Sequence, residues 1–154
     1  MGLGVSASQM SGTPTSKSNA VICSPGAGTV GQYDLLSDTF DSIVAHDTAG
    51  TTNMSVTQSG GQTIMRWSRL VNNGDVNDTQ ISTMGNSTVL FAVGSTNTFH
   101  DEFPSTMHGM SVALIPSVTY EYSVTLNTSP LLVLNWNVVG DRLDFQAVLS
   151  QLSW

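Results

Sequence analysis

Positive charge is nearly missing from this 154-residue chain: Lys17, Arg66, Arg69 and Arg142 stand against 11 Asp and Glu, for a net charge of −7. A nucleic-acid backbone is held by many Lys and Arg contacts, so sequence-independent binding to nucleic acid is excluded as a function. An anionic membrane surface is disfavoured on the same ground. Charge of either sign is scarce, at 10% of residues, where ordinary domains carry about 25%. Cys23 is the single cysteine, which rules out an intrachain disulfide. It lies in the apolar run "NAVICS" and reads as a buried, inert thiol. No apolar stretch approaches the roughly 20 residues of a membrane-spanning helix, so direct membrane insertion is not expected. Met1 opens on a strand pattern without a charged leader region, so a secreted form requires a leader beyond this sequence.

What fills the chain instead is Ser, Thr, Asn and Gly around a 40% hydrophobic fraction. That is enough for one domain with a real core. The composition suits an extracellular or cell-surface β protein. Four Asn-x-Ser/Thr sequons, at Asn53, Asn77, Asn86 and Asn127, permit a secreted glycoprotein without proving one.

Helical periodicity is almost absent. "YEYSVTLN" alternates, with Tyr120, Tyr122, Val124 and Leu126 on one face. "LDFQAVLS" does the same with Leu143, Phe145, Ala147 and Leu149, and "LLVLNWNVV" starts apolar on both faces. Val139-Gly140-Asp141-Arg142 reads as a tight hairpin, and Gly60-Gly61 as a second, since paired glycines accept the positive φ of primed turns. Further strands are expected at Met1–Ser6, Ala20–Cys23, Thr29–Leu35, Thr88–Gly94 and Met110–Ile115. In "DLLSDTFDSIVAHD" the apolar residues Leu36, Phe40, Ile43 and Val44 fit either a short helix or two strand fragments. Short strands separated by turns predict an all-β fold, an antiparallel β-sandwich whose two sheets bury their inner faces.

The end of the chain reads on into its beginning. Joined, the seam is "DRLDFQAVLSQLSW|MGLGVSASQMSGT". A strand bearing LxF, then W-x-G-[ILV]-G-x-S, then Met, a small residue and Gly resembles the opening half of a DOMON domain. "RWSRLVNNGDVNDTQI" resembles that family's R-x-L-x-x-G-D-x-x-D-x-x-I stretch, and "VLFAVGSTNTFH" its [IV]-[ILV]-[FW]-A-x-G strand and histidine-bearing loop. The resemblance covers nearly the whole chain in circularly permuted order. Residues 117–154 correspond to the opening strands and 1–115 to the remainder of a single domain, 1–154. It implies an immunoglobulin-like two-sheet sandwich, circularly permuted. A natural permutation, an engineered one and a unit cut from a tandem array all fit that order.

The resemblance implies chemistry as well. Family members that bind haem b hold the iron between one methionine and one histidine. Met10 matches the methionine position. His100 matches the loop histidine, with the gap "DEFPSTMH" before the strand at Gly109; His108, which abuts that strand, is the alternative. A thioether and an imidazole fill both axial sites, raise the reduction potential and suit electron transfer. Leu3, Val5, Phe91, Val93, Phe99, Phe103, Met107 and Met110 are the candidate haem walls. Met65, Trp67 and Trp136 read as core. Arg66 and Arg69 are candidate propionate partners. His46, in "VAHDTAG", reads as a turn residue without a role.

The resulting expectation is an extracellular haem b electron-transfer module, not an enzyme, served by a redox partner such as a membrane cytochrome or flavin domain. The alternatives are a haem-free DOMON-like module binding sugar or another ligand, and a structural sandwich subunit self-assembling by strand exchange. A hydrolase is not expected. "GVSAS" lacks the second glycine of a nucleophile elbow. Asp75 and Asp78 read as turn and capping residues of "NGDVND". No Cys/His cluster has zinc spacing, and no Gly-rich phosphate loop follows a strand.

Overall fold

The structure is a computed structural model that describes residues 1–6, 18–37, 42–46, 50–76, 78–83, 85–94, 110–112, 114, 122–128 and 130–150. Its elements are β1 (Gly2–Ser6), β2 (Ser18–Ser24), a 3-10 turn at Pro25–Ala27, β3 (Thr29–Leu35), β4 (Ile43–Ala45), β5 (Thr51–Ser59), β6 (Gln62–Leu70), β7 (Ser87–Ala92), β8 (Met110–Val112), β9 (Tyr122–Thr128), β10 (Leu131–Val139) and β11 (Arg142–Ser150). They form two antiparallel sheets. One has six strands in the order β4-β3-β2-β1-β7-β8, the other five in the order β5-β6-β11-β10-β9. The expected all-β two-sheet sandwich is what the chain builds. No helix among the described residues is long and apolar enough to cross a membrane.

Alternation creates the inner faces. Leu132, Leu134 and Trp136 of β10, then Leu143, Phe145, Ala147 and Leu149 of β11, and Met65 and Trp67 of β6 are buried from the five-stranded sheet. Leu3 and Val5 of β1, Val21 and Cys23 of β2, and Val89 and Phe91 of β7 join them from the other sheet in one apolar cluster. Desolvation there raises the Cys23 thiol pKa, in keeping with an inert side chain. Four aromatic residues sit in register across the five-stranded sheet: Trp67 opposite Phe145, Phe145 opposite Trp136, and Trp136 opposite Tyr122. Trp67 stacks on Phe145 at 4.9 Å between centroids, and Tyr122 on Trp136 at 5.5 Å. The buried indole of Trp136 donates from Nε1 to the Leu114 carbonyl at 2.9 Å, so its one polar atom is satisfied.

Turns fall where the local chemistry demands. Gly60 and Gly61 have φ of 58° and 74°, the left-handed pair of a primed two-residue turn between β5 and β6. Where it is described, the ambiguous 34–47 stretch contributes the end of β3 and the three residues of β4. β4 pairs back on β3 through Leu35 opposite Ile43, and its Ile43 and Val44 remain exposed.

Candidate functional site

One edge of the six-stranded sheet gathers polar side chains. β3 presents Gln32 and Asp34, β2 presents Asn19, and His46 directly follows β4. His46 is anchored to the sheet by its own amide, which donates to the Gln32 carbonyl at 3.0 Å. The segment after β6 folds over this edge. Asn72 Oδ1 accepts from the Gly74 amide at 2.9 Å, and Asn73 Oδ1 from the Asp75 amide at 3.0 Å, so side chains shape the "NGD" turn. That turn delivers Asp75 and Asp78 to His46.

The imidazole lies between carboxylates. Nδ1 is 3.0 Å from Asp34 Oδ1, Nε2 is 3.2 Å from Asp78 Oδ1, and Asp75 Oδ2 stands 3.9 Å from Nε2. The ring is 9% exposed and the Asp78 side chain 2%. Asn19 Nδ2 donates to Asp34 Oδ1 at 2.6 Å. Asn73 Nδ2 donates to Asp78 Oδ2, and Arg69 Nη2 lies 4.0 Å from the same oxygen while donating to the Thr79 carbonyl. Burial alone would lower the His46 pKa. The hydrogen bond to Asp34 and the fields of Asp78, Asp34 and Asp75 outweigh it and raise the pKa above its ordinary value. Burial draws the Arg69 pKa down, opposed by Asp78. Asp34, His46 and Asp78 bring three donor atoms within 4.8 Å of one another.

A second feature lies on the outer face of the five-stranded sheet. Strand register aligns Arg66 of β6, Gln146 of β11, Asn135 of β10 and Ser123 of β9 in one polar row. Asp144 and Asn137 are paired beside it. These residues line a groove of about 480 Å³, which also reaches Tyr122, Trp136 and Phe145. Asn135 Nδ2 donates to Gln146 Oε1 at 3.3 Å. With the Gln146 amide reversed, Oε1 instead accepts from Arg66 Nε at 3.1 Å and Nη2 at 2.9 Å. The row is thus a continuous bank of planar donors and acceptors.

Of the candidate haem residues, Leu3, Val5, Phe91 and Val93 are described and belong to the inter-sheet core. Met65, Trp67 and Trp136 are core as well. The cavity beside Leu3 and Val5 measures about 20 Å³, room for about one water. Met10, His100, His108, Phe99, Phe103 and Met107 lie outside the described residues. Their segments follow neighbouring strands, because β1 pairs with β7. Gly2 pairs with Ala92 and Ser6 with Thr88, so the chain leaves β1 and β7 at opposite ends of the pair. Arg69 is committed to Asp78 and Thr79; Arg66 faces the outer groove.

Two expectations need correcting. His46 is not an idle turn residue, since it is clamped by acids from two other parts of the chain. Asp78 does more than cap a turn, because its carboxylate points into the buried cluster. Sequence spacing hides this constellation: positions 34, 46 and 78 form no local motif, and only the β3–β4 pairing and the fold-back after β6 unite them. Comparison with protein-family models, curated proteins and solved structures finds no match for the chain.

Proposed function

We infer that this sandwich is a non-catalytic binding module whose ligand face is the outer surface of the five-stranded sheet, and whose ligand is a neutral, polyhydroxylated molecule such as a sugar. The observation that carries the reading is the in-register row Arg66, Gln146, Asn135 and Ser123 inside its groove. A groove of about 480 Å³ falls in the range of roughly 300–1,000 Å³ typical of small-molecule sites. Every sugar hydroxyl both donates and accepts, and planar amides and a guanidinium meet that demand in pairs. Arg66, Gln146 and Asn135 ride on the interior strands β6, β11 and β10 and Ser123 on the edge strand β9 paired to them, so the spacing of the row is set by the sheet before ligand arrives.

Titration calorimetry with neutral oligosaccharides of glucose, mannose, galactose and xylose tests the reading. At least one series should bind, and Asn135→Ala combined with Gln146→Ala should weaken it by about tenfold or more, the cost of roughly 1.4 kcal/mol in lost hydrogen bonding. Absence of binding at millimolar sugar, or binding untouched by the double variant, would sink it.

A second reading rests on the DOMON resemblance: a haem b electron-transfer module of the extracellular space with Met10 and His100, or His108, as axial ligands and a membrane cytochrome or flavin domain as redox partner. The motifs in circular order carry it; β1 and β7 are neighbours, and the chain leaves them at opposite ends of the pair. It requires the two ligand segments to converge from strand ends about 13 Å apart, four residue steps at roughly 3.3 Å each. It also requires the porphyrin to sit outside the closed core of the described residues. Haem titration decides the matter. Sharp Soret and split visible bands on reduction, lost in either Met10→Ala or the correct histidine variant, support it; a colourless protein refutes it.

A further inference from the structure

Only one nitrogen of His46 is needed to hold the ring. Nδ1, 3.0 Å from Asp34 Oδ1, donates its proton to a carboxylate that Asn19 fixes in turn. A carboxylate bound to the far nitrogen of a histidine is the arrangement that orients metal-ligating imidazoles and raises their basicity. It leaves Nε2 facing Asp78 Oδ1 and Asp75 Oδ2.

We propose that Nε2 of His46, Asp78 Oδ1 and Asp75 Oδ2 form a site for a divalent cation of the zinc type, with the amide oxygen of Gln32 as fourth donor. Two donors about 2.0–2.1 Å from one zinc ion lie about 3.3 Å apart at the tetrahedral angle. The separation of Nε2 and Asp78 Oδ1 is 3.2 Å. Asp75 Oδ2, at 3.9 Å, must close by about half an ångström. Asp75 sits at the rim, its side chain 35% exposed.

Gln32 supplies the independent observation. It is 4% exposed, and its Oε1 is a buried side-chain atom without a hydrogen-bond partner. A buried carbonyl left so loses its hydration without compensation, and native interiors rarely tolerate it. The same amide lies in the cluster, with Nε2 only 3.5 Å from Asp78 Oδ1. Rotation about the terminal bond turns Oε1 toward that carboxylate, an arrangement stable only with a cation between the two oxygens, and turns Nε2 away from it, toward the small cavity where one water has room to accept from it. Charge agrees. The three carboxylates of Asp34, Asp75 and Asp78 against the guanidinium of Arg69 leave a formal −2 around a neutral His46, which one divalent ion cancels. Imidazole and carboxylate donors without thiolate suit zinc among the common ions, and manganese more weakly. A bound ion would pin the segment after β6 to the edge of the other sheet, a structural clamp closed by four protein donors. Water in the small cavity that Gln32 lines is the rival partner for Oε1.

The test uses the full chain stripped with a chelator and titrated with Zn²⁺ alone, read by calorimetry and by thermal unfolding. One zinc per chain and a rise in Tm are expected. His46→Gln should weaken binding by about 100-fold. Asp75→Asn, a rim substitution that spares the fold, should weaken it by about tenfold. Asp34→Asn, acting through His46, should cost about 10–100-fold. Circular dichroism of each variant establishes that the sheets are intact. No zinc uptake by the wild-type chain overturns the site, and water then satisfies Gln32. Zinc uptake with unchanged affinity in a folded His46→Gln or Asp75→Asn variant overturns it equally, since the ion then sits elsewhere.

Discussion

In the metal-free chain a proton on His46 satisfies two carboxylates at once, and losing it leaves Asp78 facing a lone pair. The folded-state pKa is raised above the ordinary value of about 6.5, so the folded chain binds that proton more tightly than the unfolded one. The stabilisation is therefore complete below about pH 6.5 and is lost as pH rises through the higher folded-state value. Thermal melts of chelator-treated protein from about pH 5.5 to 8.5 should show Tm falling across the upper part of that window. His46→Gln should flatten the slope. An unchanged slope in that variant would assign the titration to other groups. None of this was visible in "VAHDTAG", where the histidine's neighbours in sequence are not its neighbours in space.

At the level of single elements, hairpins were the most legible feature, because their determinants are adjacent in the chain. Val139 to Arg142 and Gly60-Gly61 turn where their glycines predict. No neighbouring atom blocks a Cβ at Gly61, but its φ is 74°. Gly61→Ala should thus cost about 1–2 kcal/mol through backbone strain alone, while Gly60→Asn, which tolerates the left-handed region, should cost less. Denaturant melts compare the two; equal losses would contradict the turn. Gly4 differs, since a Cβ there would stand 2.6 Å from the Asn19 carbonyl. The β1–β2 pair must shift to admit it. The 34–47 stretch was ambiguous for a plain reason. β4 has three residues, less than one helical turn, so apolar spacing cannot distinguish the two periods there.

Across the whole molecule, two-residue alternation in β9 and β11, with short strands and turns around them, sufficed to predict a sandwich, because burial of one face of each sheet leaves few other solutions. Strand order and the joining of distant edges were not legible, since long-range pairing leaves no local signature. Leu143 is fully buried in the inter-sheet cluster. Leu143→Ala should destabilise the chain by about 2–5 kcal/mol, measured as a shift in denaturant midpoint at constant slope; a loss below about 1 kcal/mol would mean that the two sheets do not share one core.

The aromatic ladder and the polar row occupy consecutive positions: 66 and 67, 145 and 146, 135 and 136, 122 and 123. Insertion or deletion of one residue within any of these strands would carry a ring to the solvent and bring a guanidinium, amide or hydroxyl into the apolar layer. Diversification of this surface by descent is thereby confined to exchange of side chains at fixed length, with indels tolerated only in the connections.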